Sequence, residues 1–247
     1  MLSSSLPEAI WGVCVPPSVP SILVTNTYGL YDCSKGSTEL YIPSSTWLTA
    51  CRFQPNYGFF VGDGAGNIFK LDNSVPQLKP LYTISDTFVT ALDVDPAKGD
   101  IYFIVELYPS GTAFYLYRLP RGGHSPKLLM TLPFESYGLA IRGNSLYITD
   151  FNDGVLYRTS KAGGKLVPVP SGFNGPTDIV ADAGGNLYLT EWSAGNIVAI
   201  NSGATKLDRI ATGFFSPLGI GVDAQGNLYF TEEYKGTLWK LERSFPK

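Results

Sequence analysis

The stretch GNLYLTEW, residues 185–192, returns as GNLYFTEE at 226–233 and, more loosely, as GNSLYITD at 143–150. Aligned on the polar residue that closes the motif, six copies run through the chain: ILVTN ending at Asn26, FFVGD at Asp63, YFIVE at Glu106, LYITD at Asp150, LYLTE at Glu191 and LYFTE at Glu232. Their spacings are 37, 43, 44, 41 and 41 residues. The last copy is the most legible: SPLGIGVD, a turn AQGN, LYFTE, a loop EYKG, then TLWKLE. That pattern gives three short strands joined by tight turns, and in copies two to five a fourth strand follows, such as KLDRIAT at 206–212. The Asp-x-x-Gly-Asn turn suits a hairpin, because Gly accepts positive φ while Asp and Asn bond back to their own backbone. A period near forty with about four strands per unit marks a propeller blade. The expected fold is therefore all-β: one six-bladed β-propeller over residues 1–247, with four-stranded antiparallel blades. The sixth copy ends after its third strand, so the N-terminal segment MLSSSL is expected to add the outer strand and close the ring, covering an edge that would otherwise be free to pair with other chains.

Composition agrees with this reading. The 15 Tyr and 14 Phe fill pleated sheets, while 27 Gly and 18 Pro supply chain reversals and discourage long helices. A formal charge of -3 without a run of Lys or Arg argues against nucleic acid as a partner. No stretch approaches the roughly twenty apolar residues that span a bilayer as a helix, so a soluble monomer with no membrane partner is expected. The start, MLSSSLPEAIW, lacks the pattern of a signal peptide. The compartment stays open, since a processed secreted form would look the same. Cys14, Cys33 and Cys51 match no common zinc spacing. They read as buried free thiols, or as one disulfide and a leftover thiol.

The blades PLGIGVDAQGNLYFTE and PTDIVADAGGNLYLTE resemble those of the six-bladed group that includes NHL-repeat proteins, the senescence-marker-protein/gluconolactonase family and strictosidine-synthase-like proteins. The resemblance runs through essentially the whole chain. It lies in blade grammar and not in an active-site motif, so it implies fold more than activity.

In this architecture the strand 2–3 loops and the 4–1 loops emerge on one face, around the mouth of the central channel. The six closing residues Asn26, Asp63, Glu106, Asp150, Glu191 and Glu232 are expected to reach that face. Aromatics follow them in five copies, at Tyr28, Tyr108, Phe151, Trp192 and Tyr234, and the inter-blade loops add Trp47, Phe88, Tyr137, Phe173 and Phe215. An aromatic mouth with a few carboxylates suits a flat, apolar or cationic small molecule. The same residues have a structural reading, in which each acid caps a loop and each aromatic packs between blades. The 2–3 loop of the third copy, LYPSGTA, is about four residues longer than in the fifth and could wall a pocket.

The only histidine, His124, falls by repeat phase in a 3–4 turn on the far face, which argues against a Ser-His-Asp triad or a multi-histidine metal site. It also weakens a resemblance to virginiamycin B lyases, which are understood to use a histidine on the working face. DGAGN at 63–67 is no phosphate loop, since no Lys-Ser/Thr follows. Resemblance to the gluconolactonases implies a divalent cation held by Glu, Asn and Asp on first strands. Glu8 in Pro7-Glu8-Ala9-Ile10-Trp11 matches the Glu position, but the later starts read Thr49, Thr90, Tyr137-Gly138, Thr177-Asp178 and Leu218, where only Asp178 is acidic and it is one position out of phase. A hard cation wants several oxygen donors, so the expectation is no metal and no cofactor, with calcium as the alternative. What remains is a carboxyl among aromatics, its pKa raised by desolvation, able to act as an acid or base near neutral pH. Strictosidine-synthase-like proteins are understood to use a Glu in this way. The expected function is a small-molecule enzyme or binder running a metal-independent condensation, isomerisation or cyclisation. Glu8, Glu191 and Glu232 are the catalytic candidates, and Tyr28, Trp47, Glu106, Tyr108, Tyr137, Asp150, Phe151, Phe173, Trp192, Phe215 and Tyr234 the binding candidates. A non-catalytic NHL-type interaction module and a calcium-dependent lactonase-like hydrolase are the alternatives.

Overall fold

The structure is a computed structural model that describes residues 6, 10–16, 22–33, 37–72, 74–108, 113–169, 172–204 and 206–243. Its strands form six antiparallel sheets in chain order around a ring. The first blade holds β1 (Ile10–Cys14), β2 (Leu23–Asn26), β3 (Gly29–Asp32) and β4 (Glu39–Pro43), and the second β5 (Leu48–Gln54), β6 (Gly58–Asp63), β7 (Asn67–Asp72) and β8 (Gln77–Thr83). The third holds β9 (Thr87–Val94), β10 (Ile101–Leu107), β11 (Phe114–Leu119) and β12 (Lys127–Leu132). The fourth holds β13 (Leu139–Arg142), β14 (Ser145–Asp150), β15 (Val155–Ser160) and β16 (Val167–Val169). The fifth holds β17 (Pro176–Ala181), β18 (Leu187–Glu191), β19 (Asn196–Ile200) and β20 (Leu207–Thr212). The sixth holds β21 (Pro217–Val222), β22 (Leu228–Glu232) and β23 (Thr237–Leu241). A fourth strand thus also ends the first repeat, at Glu39–Pro43, where the sequence pattern did not signal one; it is mostly exposed and carries little apolar periodicity.

The ring is held by its junctions. Each pair of adjacent blades shares one apolar cluster: Phe60 and Ile68 of the second blade meet Val89 and Phe103 of the third, and Val198 of the fifth blade faces Tyr147 of the fourth. The sixth junction closes the circle, with Tyr229 and Leu238 packed against Ile10, Val13 and Val24. Leu6 belongs to that cluster, and its N–H donates to Gly236 O at 3.3 Å beside β23. Met1–Ser5, the rest of the expected closing strand, lie outside the described residues.

Each letter of the repeated octet has a structural use. Gly185 takes φ 79° in the turn, and Asp182 accepts from the N–H and side-chain amide of Asn186, both at 2.8 Å, and from the Tyr188 hydroxyl at 3.1 Å. Asp223, Asn227 and Tyr229 repeat these bonds. The threonines satisfy backbone groups near the axis, where first strands bulge: Thr231 Oγ1 accepts from Gly219 N–H at 3.0 Å, and Thr190 Oγ1 donates across the junction to Leu218 O at 2.7 Å. Blades approach closely here, since a Cβ on Gly219 would lie 2.6 Å from Trp11 O.

Cys14, Cys33 and Cys51 are buried and unpaired, and burial pushes the Cys33 thiol up to about 12. His124 is exposed between β11 and β12, in the expected 3–4 turn. No helix among the described residues is long and apolar enough to cross a membrane.

Candidate functional site

The recurring acids are mostly loop caps. Glu191 is fully buried; it accepts from Asn174 N–H at 3.0 Å, from the Asn196 side chain at 2.7 Å, and from Arg209 Nε and Nη2 at 3.0 and 3.1 Å. Glu232 accepts from Phe215 N–H at 2.7 Å, Trp239 Nε1 at 2.7 Å and Lys235 Nζ at 3.1 Å. Burial pushes the Glu232 carboxyl up, but these three donors outweigh it and hold it below the ordinary glutamate range. Asp63, Asn26 and Asp150 cap their own 2–3 loops in the same manner. Glu106 is half-buried, and desolvation together with the nearby Glu135 raises its pKa; burial raises that of Asp150 as well, in spite of its cap.

The position after each cap behaves differently. In the second, fourth, fifth and sixth blades its backbone N–H is tied to the preceding inter-blade loop: Gly64 to Trp47 O, Phe151 to Glu135 O, Trp192 to Gly175 O and Glu233 to Ser216 O, at 2.8–3.1 Å. In the third blade, with its longer loop, Tyr108 takes this place and donates to Asp86 O at 2.8 Å. The backbone fixes the slot and leaves the side chain free to vary. Three consecutive slots, Phe151, Trp192 and Glu233, therefore face one another around the mouth.

These side chains, with Trp11, Tyr137, Thr177, Leu218 and Tyr234, line a cavity of about 210 Å³. Tyr137 meets Phe151 at 5.4 Å between ring centroids, Phe151 meets Trp192 at 6.1 Å and Trp192 meets Tyr234 at 6.4 Å, all tilted by 61–89°. Such edge-to-face contacts make a stiff wall. Glu233 is 8% exposed, and its Oε2 accepts from Trp192 Nε1 at 2.8 Å. Burial raises its pKa, partly offset by Trp192 and Tyr234. Burial likewise raises the Tyr137 phenol, aided by Glu135 and Glu106. Trp11 Nε1 is buried without a hydrogen-bond partner among the described residues.

Beneath the mouth the channel narrows to about 30 Å³, the share of one water. Here Arg52 of the second blade reaches across to Asp178 of the fifth. Arg52 Nη2 donates to Asp178 Oδ1, Nη1 to Oδ2 at 3.2 Å, and further bonds reach Ile179 O at 2.8 Å and Cys51 O at 3.0 Å. Asp178 also accepts from Ile179 and Ile220 N–H at 2.8 and 3.0 Å, so both of its oxygens are engaged. Asp93 stands nearby, its pKa raised to about 6 by burial against the pull of Arg52. The described channel residues do not fit a divalent cation: Asp178 and Asp93, the acids on the described first strands near the axis, spend both oxygens on the guanidinium or on backbone N–H groups, the axis holds that guanidinium, and no group of three metal-ligating side chains stands together among the described residues.

Of the residues expected at the site, Tyr137, Phe151, Trp192 and Tyr234 converge on the cavity. Glu191, Glu232 and Asp150 do not line it and spend their oxygens on loops. Phe173 is buried in the core shared by the fourth and fifth blades. Trp47 and Tyr108 line a separate groove with Phe88, while Tyr28 and Phe215 are exposed, Phe215 meeting Tyr234 at 6.2 Å. Glu8 and the tip of the LYPSGTA loop lie outside the described residues. Glu233 and Arg52 were not singled out from sequence. The signal for Glu233 was the doubled acid in TEEY, which no other copy has.

No protein-family model matches the sequence, and no curated protein sequence matches it. Solved structures match its fold. A gluconolactonase from Xanthomonas campestris superposes with TM-score 0.80 at 16% identity, over 96% of this chain and 86% of that one. Regucalcin, a calcium-binding protein from Agrobacterium tumefaciens, gives 0.75 at 14% identity over 93% and 84%. Virginiamycin B lyase from Staphylococcus aureus gives 0.65 at 15% over 98% and 87%. The gluconolactonase and regucalcin belong to the group of six-bladed propellers that the blade motifs pointed to, and at such identities the likeness is one of fold.

The axial ion pair generates a test. Removing one partner of a buried pair strands the other charge and costs about 3–5 kcal/mol, so Arg52→Met and Asp178→Asn should each destabilise by that order in urea unfolding. The double variant should recover most of the loss; simple additivity of the two losses would show the pair to be uncoupled.

Proposed function

We propose that the protein binds a small molecule of apolar or aromatic character in the mouth cavity and acts on it without a metal, with Glu233 as the proton-exchanging group. The observation that carries this reading is a buried carboxyl, the single one lining the cavity among the described residues, walled by Trp192, Phe151 and Tyr234. A carboxyl lifted by desolvation holds its proton closer to neutrality, which suits general acid or base work in a condensation, isomerisation or cyclisation. The volume, about 210 Å³, exceeds the roughly 150 Å³ that takes a benzene ring, so a substituted single ring or its equivalent fits. A cavity with a convergent acid favours a small ligand over the flat contact of a protein-interaction module. Intrinsic tryptophan fluorescence should therefore respond saturably to phenol, benzyl alcohol or toluidine, and Phe151→Ala should weaken that response about fivefold. A response that never saturates for any of them would overturn the reading.

The fold shared with a gluconolactonase and with a calcium-binding regucalcin favours a second reading, a calcium-dependent lactonase-like hydrolase. It requires a cation where Arg52 now pairs with Asp178. Melting in calcium and in chelator separates the two: the metal-independent reading expects the same midpoint within about one degree, and the hydrolase reading a shift of several degrees.

A further inference from the structure

The mouth cavity holds a carboxylate with no cation beside it among the described residues. Glu233 is buried, and its hydrogen bond to Trp192 Nε1 is to a neutral donor. The nearest basic side chain on the same loop, Lys235, is committed elsewhere: it binds Glu232 at 3.1 Å and lies over the Phe215 ring at 5.5 Å. On the opposite side of the cavity the charges near Tyr137 are Glu106 and Glu135, again negative. A buried carboxylate without a partner is costly, and a cationic ligand would relieve it.

The rest of the wall suits a particular kind of cation. Aromatic faces attract cations through their quadrupoles and offer few hydrogen-bond acceptors. A primary ammonium carries three N–H donors, each of which loses a water partner on entry. Beyond Glu233 the described wall has little free to receive them: the Tyr137 and Tyr234 hydroxyls are engaged with Glu135 and Glu233, Thr177 Oγ1 already bonds Thr190 Oγ1 at 2.8 Å, and the indole N–H groups of Trp11 and Trp192 are donors only. An ammonium whose hydrogens are replaced by methyl groups loses no such bonds and presents methyl groups to the rings. We propose that the mouth cavity takes a methylated ammonium, tertiary or quaternary, seated among Trp11, Phe151, Trp192 and Tyr234 with Glu233 as its counter-ion.

This inference rests on the reading of the mouth as a small-molecule site and narrows the ligand class. Choline and 3,3-dimethylbutan-1-ol, in which carbon replaces the charged nitrogen, form the test pair, measured on the full chain by calorimetric titration and tryptophan fluorescence. Choline should bind at least tenfold more tightly than the alcohol. Glu233→Gln should cut that preference several-fold, and Tyr234→Leu should weaken choline more than the alcohol. Equal binding of both by the wild type would overturn the cation and leave the small-molecule site standing. Binding of neither would overturn both.

Discussion

A four-stranded sheet whose second strand is apolar on both faces cannot fold alone, and every other feature of this protein follows from that constraint. Leu187, Tyr188, Leu189 and Thr190 are all buried, as are Leu228, Tyr229, Phe230 and Thr231, so each blade must find a neighbour on either side. Six apolar clusters, one per junction, meet the demand, and the last joins the end of the chain to its beginning. The repeated octet is the sequence form of this requirement. Its Gly and Asn build the turn, its Tyr anchors to the turn aspartate, its Thr serves the bulged strands at the axis, and its closing acid holds the loop that leads out of the sheet.

A residue that every blade needs has little freedom to do chemistry. Glu232 and Glu233 make the contrast within two adjacent positions. The first receives three hydrogen bonds and is held below the ordinary glutamate range; the second meets only the neutral donors of Trp192 and Tyr234 and is raised by burial. The slot that Glu233 occupies is fixed by its backbone N–H, which is why it can hold Gly64 in one blade, Trp192 in another and an acid in the sixth. The axis obeys the same logic. Ala50, Thr90, Gly138 and Gly219 are small, and among them Asp178 and Arg52 meet across the channel as a buried ion pair.

The architecture was legible because periodicity survives without knowledge of contacts: six motif copies at nearly constant spacing mark six second strands. The aromatic mouth was half legible, since Phe151, Trp192 and Tyr234 follow the motif closely. The choice of acid was not. Alignment on the motif draws the eye to the residue that recurs, and only hydrogen-bond partners such as Arg209 and Trp239, 18 and 7 positions downstream, reveal that Glu191 and Glu232 are engaged. Phe173 lies in an inter-blade loop, as Tyr137 does, yet it turns inward to the junction core. The Arg52–Asp178 pair spans 126 positions and no local pattern announces it.

The most direct test of the distinction between recurring and deviating acids is the pH dependence of unfolding in Glu232→Gln and Glu233→Gln, each compared with wild type between about pH 3 and pH 7. The folded Glu232 carboxyl lies below its unfolded value, so wild type should gain stability over Glu232→Gln as pH rises through the carboxylate range near 4.3. The folded Glu233 carboxyl lies above its unfolded value, so wild type should lose stability relative to Glu233→Gln over the same rise and just beyond it. Differences of opposite sign are the expected result. A gain with pH at both positions would make Glu233 one more loop cap and contradict the account.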